Sequence, residues 1–207
     1  MANKFTTSLN GFNALVCGST SGIGLSTAQE FAISGASVTL FARNEEKLQN
    51  TLSLLKNIDD QNHQYLVGDF NYPDNINKIV TAHIASGNKY HILINNSGGP
   101  KGGPIVEAET SEFIDGFNRH LICNHMLAQA LLPGMKNLNY GRIINIISTS
   151  VKEPITGLGV SNTIRGAVAS WAKTLSIEVA KEGITVNNIL PGFTKTDRLS
   201  SLIKANA

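Results

Sequence analysis

Short apolar runs alternate along the chain with longer segments in which apolar residues recur at the spacing of a helix. Most of the short runs are apolar on both faces, which is typical of strands covered by helices on each side. These runs predict strands at Ala14–Cys17, Ser37–Phe41, Gln64–Gly68, Ile92–Asn95, Arg142–Ile147 and Thr185–Leu190. The longer segments predict helices at Ile23–Ser34, Glu45–Ile58, Pro73–Ser86, Ser111–Leu138 and roughly Ile155–Glu182.

Residues at the ends of the predicted helices agree with these boundaries. Asn44 is a typical N-cap residue and is followed by glutamates, which the positive end of a helix dipole favours. Pro73 stands at a first helical position, where the missing N–H of proline costs nothing. Gly35 and Gly183 follow helical runs, as C-terminal capping glycines do.

The connections between consecutive strands are too long for hairpins, so the strands are expected to be parallel. The pattern predicts an α/β fold of the Rossmann type, a doubly wound parallel sheet with helices on both faces. No repeat or linker divides the chain, and residues 1–207 are expected to form a single domain. The glycine-rich stretch Ser97–Pro104 follows the fourth strand, where ligands bind in this architecture, although it could be a plain flexible connection.

Composition narrows the class of protein. The chain has 207 residues, of which 42% are hydrophobic and 15% charged, with a net charge of +2, which argues against disorder and against a nucleic-acid surface. No apolar run is long enough for a membrane helix, and Met1–Ser8 lacks the apolar region of a signal peptide. Cys17 and Cys123 are predicted to be buried thiols rather than disulfide partners or metal ligands. We therefore expect a cytoplasmic protein with no metal, nucleic-acid or membrane partner.

A glycine-rich turn joins the first predicted strand to the first predicted helix. Glycines allow a tight turn, a close approach of the backbone to a pyrophosphate, and close packing of helix on strand. The free N–H groups at the helix N-terminus attract phosphate oxygens. A structural turn without a ligand is the alternative, since glycines recur in ordinary turns. The turn reads Gly18-Ser19-Thr20-Ser21-Gly22-Ile23-Gly24.

The spacing of these glycines, Gly-x3-Gly-x-Gly, resembles that of the short-chain dehydrogenase/reductase superfamily. Three later motifs are similar to those of the family and occur in the same order: Asn95-Asn96-Ser97-Gly98, where the family has Asn-Asn-Ala-Gly, the strand Gly141–Ser148 ending in a serine, and Val186-Asn187 followed by Pro191-Gly192. The resemblance covers essentially the whole chain. It implies a nicotinamide dinucleotide cofactor and a small-molecule substrate.

The identity of the cofactor depends on the residue after the second strand. An acid there accepts the 2′-hydroxyl of NAD, whereas a basic residue suits the 2′-phosphate of NADP. Arg43 holds this position, and its planar guanidinium can bind a phosphate through two hydrogen bonds, so NADP is expected rather than NAD. The resemblance implies further contacts with each part of the cofactor. The pyrophosphate is contacted by Gly18, Ser19, Ser21, Gly22, Ile23 and Gly24, and the adenine lies beside Asp69 and Phe70. The motif Asn95, Asn96, Ser97 and Gly98 also binds the cofactor, with Asn96 on the ribose, while Arg165 holds the nicotinamide ribose and Pro191, Gly192 and Thr194 lie beside the nicotinamide.

The catalytic set departs from the family pattern. The family uses a Tyr that donates the proton, a Lys that lowers its pKa and holds the ribose, a Ser that polarises the carbonyl, and an Asn that anchors a water relay. Ser148 alone is retained. At the positions of the Tyr, Lys and Asn the chain has Ser161, Arg165 and His120.

These substitutions change the acid–base chemistry that the resemblance implies. Ser161 and Arg165 lie four residues apart and share a helix face, so Arg165 could hold the ribose and stabilise an alkoxide. An alkyl hydroxyl is a far weaker acid than a phenol, and a missing general acid costs about 10²–10⁴-fold in rate. The segment from Ser148 to Arg165 resembles a divergent branch, similar to β-ketoacyl-acyl-carrier-protein reductases, that lacks the full set. Ser161 as a helix-surface hydroxyl and His120 as a core imidazole stay open alternatives.

Three functions therefore remain open. The first is an NADP-dependent oxidoreductase acting on a carbonyl or secondary alcohol, with 3-oxoacyl thioesters as one candidate class. The second is a dinucleotide-binding sensor or an inactive partner with little turnover. The third is a structural subunit that binds no nucleotide, which the glycine and Asn-Asn-x-Gly motifs disfavour.

The resemblance also implies an assembly and a longer C-terminal region. We expect a homodimer or homotetramer in which residues 111–138 and 155–182 pack against their copies and bury Ala167, Val168 and Trp171, although these side chains could instead belong to the chain's own core. Family members continue with another strand and helix after the segment that matches Arg198–Ala207. The substrate pocket would be open on one side without them.

Overall fold

Within the residues that the structure describes, six parallel strands form the centre of the fold. The computed structural model describes residues 8–196 and 199–200. The sheet has the order β3-β2-β1-β4-β5-β6, which confirms the predicted α/β architecture. The strands are β1 (Asn13–Cys17), β2 (Ser37–Ala42), β3 (Gln64–Val67), β4 (Ile92–Asn95), β5 (Gly141–Ile146) and β6 (Ile184–Ile189).

Helices follow the strands and cover both faces of the sheet. The α-helices are α1 (Gly22–Ile33), α2 (Glu45–Leu54), α3 (Pro73–Ala85), α4 (Thr110–Phe117), α5 (Cys123–Asn137) and α6 (Gly159–Val179). The side chain of Asn44 accepts a hydrogen bond from the backbone N–H of Lys47, and Pro73 begins α3, so both predicted helix starts are confirmed. Gly35 and Gly183 have φ angles of 99° and 70° and end their helical segments as expected.

The core lies in two layers, one on each side of the sheet. One layer joins β1, β2 and β4 to α1 and α2 through residues such as Ala28, Val38 and Leu48. The other joins the sheet to α3, α5 and α6, with Leu127 and Ala172 among its buried side chains. Strands buried on both faces are apolar on both faces, which explains why the sequence shows continuous apolar runs rather than alternation.

Three predicted helix boundaries were wrong. The segment 111–138 is not one α-helix, because a π-helical stretch, Asn118–Ile122, separates α4 from α5. Helix α2 ends at Leu54 rather than near residue 58, since Leu55 is extended. Helix α6 begins at Gly159 rather than near residue 155, because the residues before it pair with the glycine-rich loop: the backbone N–H of Gly103 donates to the Gly157 carbonyl at 2.7 Å.

Both cysteines are buried and free, as the sequence predicts. Burial raises the pKa of both thiols, that of Cys123 to about 12. Within the described residues no helix is long and apolar enough to cross a membrane. In the same part of the chain no three His, Cys, Asp or Glu residues gather as metal ligands.

The expected helix bundle between subunits needs one correction. Val168 is fully buried in the chain's own core and is not available to a second copy. Trp171 is partly buried against the same core, and its indole N–H donates to His125 Nδ1 at 3.3 Å. Val168 therefore belongs to the chain's own core rather than to a contact between subunits. The C-terminal range 201–207, together with Asp197 and Arg198, lies outside the described residues.

Candidate active site

Two adjoining cavities lie at the carboxyl ends of the strands. The strand order reverses between β1 and β4, and ligands of doubly wound sheets bind at such a reversal. The larger cavity, a groove of about 590 Å³, follows the glycine turn and the ends of β2 and β3. The smaller one, a pocket of about 200 Å³, follows the ends of β5 and β6 and the start of α6. Asn96 and Ser97 line both, so the two spaces meet at the end of β4.

The glycine turn shapes one wall of the groove. Gly18 and Gly22 have φ angles of 58° and 53°, a conformation that suits glycine. A Cβ atom on Gly24 would lie 2.1 Å from the Gly18 carbonyl oxygen, so helix α1 can start this close to the turn only with glycine there. The side chain of Ser21 makes no cap hydrogen bond, which leaves the first N–H groups of α1 available to a phosphate. This wall fits the pyrophosphate of a dinucleotide.

Positive charge is concentrated along the groove. Arg43 and Lys47 are exposed beside the end of β2, and Arg119 reaches the groove from the π-helical stretch. Asn71 accepts hydrogen bonds from the Arg119 guanidinium through Nε and Nη2, which holds it in place. Asp69 is the acidic residue among the groove's described lining. Three cations and one acid suit a polyanionic ligand.

Most of the predicted cofactor residues line one cavity or the other, but three do not. Ser19 is fully buried, and its hydroxyl accepts the N–H of Phe41 at 3.1 Å, so its side chain ties the turn to β2. Asn95 is buried, and its amide donates to Asn145 Oδ1 on β5 at 2.8 Å. Gly24 lies beneath the turn. The lining residues are Gly18, Ser21, Gly22, Ile23, Arg43, Asp69, Phe70, Asn96, Ser97 and Gly98 in the groove, and Ser97, Arg165, Pro191, Gly192 and Thr194 in the pocket.

The pocket brings together three of the four predicted catalytic positions: Ser148, Ser161 and Arg165. Ser148 follows β5, and its hydroxyl accepts the N–H of Ser150 at 3.1 Å. Ser161 and Arg165 project from α6, and both are buried. The Arg165 guanidinium donates through Nη1 to the Ile146 carbonyl at 2.9 Å, which fixes it at the end of β5. Among the described residues that line the pocket, Arg165 carries the only charge.

His120 lies behind the pocket wall rather than on it. Its side chain is 2% exposed and belongs to neither cavity lining. The Ser97 hydroxyl and His120 Nδ1 share a hydrogen bond of 2.8 Å. The imidazole therefore reaches the cavities through Ser97.

Comparison with known proteins agrees with this geometry. The family model for short chain dehydrogenases matches residues 13–207. The chain belongs to the short-chain dehydrogenase family. It is accordingly an oxidoreductase of the short-chain type.

Several proteins that are similar to this short-chain dehydrogenase are named as reductases. A Streptomyces violaceoruber protein named for ketoacyl reduction in granaticin polyketide synthesis is 35% identical over 185 residues, or 88% of this chain and 68% of its own. A 3-oxoacyl-acyl-carrier-protein reductase of Vibrio cholerae is 30% identical over 94% of this chain and 78% of its own. The structure of L-sorbose reductase from Gluconobacter frateurii with NADPH and L-sorbose is 30% identical, with a TM-score of 0.88 over 98% of this chain and 78% of that one.

Sequence reasoning missed several residues of the two cavities. Lys47 and Arg119 line the groove, and Ile155, Leu158 and Phe193 give the pocket an apolar wall. Lys47 lies four residues after Arg43, in the first turn of α2, and this closeness to the end of β2 could have suggested it. No local motif marks Arg119, because it comes close to the groove only through the tertiary packing of the π-helical stretch.

Proposed function

We propose that this short-chain dehydrogenase is an NADPH-dependent reductase that converts a ketone to a secondary alcohol with an altered catalytic set. One observation carries the proposal: Ser148, Ser161 and Arg165 line a single pocket that joins the dinucleotide groove at Asn96 and Ser97. When the dinucleotide lies in the groove with its nicotinamide in the pocket, the reduced nicotinamide supplies a hydride to the substrate carbonyl carbon.

The residues of the pocket have complementary roles in this proposal. Ser148 donates a hydrogen bond to the carbonyl oxygen and polarises it. Arg165 stabilises the negative charge that develops on that oxygen and binds the ribose hydroxyls. Because a guanidinium is effectively always protonated, Arg165 supplies charge and hydrogen bonds but no proton. The proton then comes from solvent by way of His120 or Ser161.

The preference for NADP rests on the charge of the groove. Arg43 and Lys47 stand where a 2′-phosphate would extend beyond β2, and no acid follows β2 directly. The names of solved relatives that bind NADPH or NADP support the same choice. Gly18, Gly22 and the start of α1 hold the pyrophosphate, Asp69 and Phe70 flank the adenine, and Pro191, Gly192 and Thr194 border the nicotinamide.

In this proposal the substrate is a carbonyl compound that carries an apolar group next to the carbonyl. Ile155, Leu158 and Phe193 form one side of the pocket and suit an alkyl or acyl chain. Two of the relatives are named for ketoacyl or 3-oxoacyl reduction, which supports β-ketoacyl thioesters as the first class to try. A homodimer or homotetramer remains the expected assembly.

Turnover of NADPH tests the proposal. The purified protein is incubated with ketones, ketoses and β-ketoacyl thioesters, and the loss of NADPH absorbance is followed. We expect turnover with at least one class, a loss of about 10²-fold or more in Arg165→Met from missing charge stabilisation, and a smaller loss in Ser161→Ala. NADPH binding without turnover on the whole panel would favour the sensor or inactive-partner function instead.

A further inference from the structure

Ser97 connects a buried imidazole with both cavities. Ser97 lies at the start of the glycine-rich loop, two residues after the end of β4, and lines the groove and the pocket. Its Oγ is 2.8 Å from Nδ1 of His120, which is 2% exposed. One side chain thus stands between the reaction space and a group that can carry a proton near neutral pH.

The local backbone brings His120 to this place. Residues 118–122 form a π-helical stretch between α4 and α5, and such widened turns occur frequently at functional sites. An uninterrupted α-helix would turn the side chains after residue 118 to a different face, because each residue of an α-helix advances by a fixed angle. The π-helical stretch thus affects directly where the imidazole points.

Both members of the pair depart from the family pattern. The motif Asn95–Gly98 has Ser97 where the family has Ala, and His120 stands at the family's Asn position. The two positions are 23 residues apart in sequence, yet the two substituted side chains contact each other. The pair adds a hydroxyl and an imidazole to a site that has lost its phenol.

We propose that Ser97 is the proton donor of this reductase and that His120 is its proton source. The inference rests on the proposed function, and it selects one route among those left open there. It assigns Ser97 a catalytic contact in addition to the cofactor contact that the sequence predicts. His120 acts through Ser97 and touches neither substrate nor cofactor.

The proposed transfer balances in protons and electrons. The hydride brings an electron pair to the carbonyl carbon, and the π electrons of the C=O bond move to its oxygen. Ser97 Oγ–H gives its proton to that oxygen, while the imidazolium form of His120 gives the Nδ1 proton to Ser97. His120 is left neutral, and a solvent proton restores its charge through Ser97 after the alcohol has left.

A double-mutant cycle on full-length protein tests the relay. Ser97→Ala and His120→Asn each introduce the residue that the resemblance implies at that position, which favours retention of the fold, and thermal unfolding checks it. We expect each variant to lower kcat by about 10²–10⁴-fold, while the Kd for NADPH stays unchanged in His120→Asn, whose side chain touches neither cofactor nor substrate. The double variant should lose no more than the worse single variant, because both remove one proton path. Ser97→Thr, which keeps the hydroxyl, should retain most of the turnover.

Other outcomes identify which part of the inference fails. Unchanged kcat in Ser97→Ala, or losses that multiply in the double variant, overturn the relay while leaving the reductase in place. A raised Kd for NADPH with unchanged kcat assigns Ser97 to cofactor binding alone. Absence of turnover in the wild type overturns the proposed function and the relay together. Ser53→Ala, an exposed hydroxyl on α2 outside both cavities, serves as the control and should match the wild type.

Discussion

Arg43 is the side chain on which the proposed preference for NADPH over NADH most directly rests. It is exposed beside the groove at the end of β2, where a 2′-phosphate would add two negative charges to the ligand. We expect Arg43→Ala to weaken NADPH binding by about 10–100-fold, since a hydrogen bond to a charged group contributes about 1.5–3 kcal/mol. NADH lacks the phosphate, so its Kd should change little. Fluorescence titration of both cofactors measures the effect.

Equal affinity of the wild type for NADPH and NADH would contradict this role of Arg43. Lys47 is the matched comparison, because it carries the same charge and lines the same groove but lies in the first turn of α2. A Lys47→Ala loss as large as that of Arg43→Ala would make the selectivity a property of the local charge rather than of the guanidinium.

Residue types and spacing located most of the predicted residues that line the two cavities, but they did not give every side chain's contacts. Arg43 and Ser148 could be located because each follows a recognisable strand, and Arg165 could be located by its spacing from Ser148. Ser19 has a residue type that suits phosphate, yet its hydroxyl is used by Phe41, 22 residues away. The contact between Ser97 and His120 depends equally on tertiary packing. Such long-range hydrogen bonds leave no periodic signal in a sequence.

At the scale of single elements, strands were predicted better than helix ends. All six strands occur within two residues of their predicted bounds, because burial on both faces makes each run apolar. The π-helical stretch at residues 118–122 was missed, since its residues continue the helical periodicity on either side. The start of α6 was misplaced because the preceding residues pair with the glycine-rich loop, a contact between distant segments.

Helix α1 offers a test of close packing within the glycine turn. We expect Gly24→Ala to destabilise the protein by about 1–3 kcal/mol, since the added Cβ would lie 2.1 Å from the Gly18 carbonyl oxygen and the turn must shift. The same shift should weaken NADPH binding. Thermal unfolding should show a melting temperature lower by several degrees, at about 2–4 °C per kcal/mol.

Gly166→Ala is the matched control for the Gly24 variant. It makes the same substitution inside α6, where an added Cβ meets no atom within 4 Å. It should stabilise the protein by up to about 1 kcal/mol through helix propensity. An unchanged melting temperature and NADPH affinity in Gly24→Ala would contradict the packing explanation.

At the scale of the whole molecule, the sheet separates the reaction site from a set of structural histidines. The cavities lie at the carboxyl ends of the strands, whereas His91 and His83 make hydrogen bonds near the amino ends of the strands. His91 Nδ1 accepts the backbone N–H of Asn13 at 3.0 Å, and His83 Nε2 lies 2.6 Å from the Tyr90 hydroxyl. In the proposed relay, therefore, proton transfer depends on His120, whereas His83 and His91 have a structural role.

Stability should depend on pH through these structural histidines. Burial lowers the pKa of both His83 and His91, so the folded protein resists protonation that the unfolded chain accepts below its ordinary pKa of about 6.5. Because the unfolded state then binds more protons, the free energy of unfolding falls as the pH drops from about 7.5 to 5.5. Urea unfolding across this range should show a midpoint that falls as the pH drops.

The variant His91→Asn tests the contribution of one of these histidines. Its side-chain oxygen can still accept the Asn13 N–H, and the variant should reduce the slope of the urea midpoint against pH. A flat profile in the wild type, or an undiminished slope in the variant, would contradict the role of burial at these two sites.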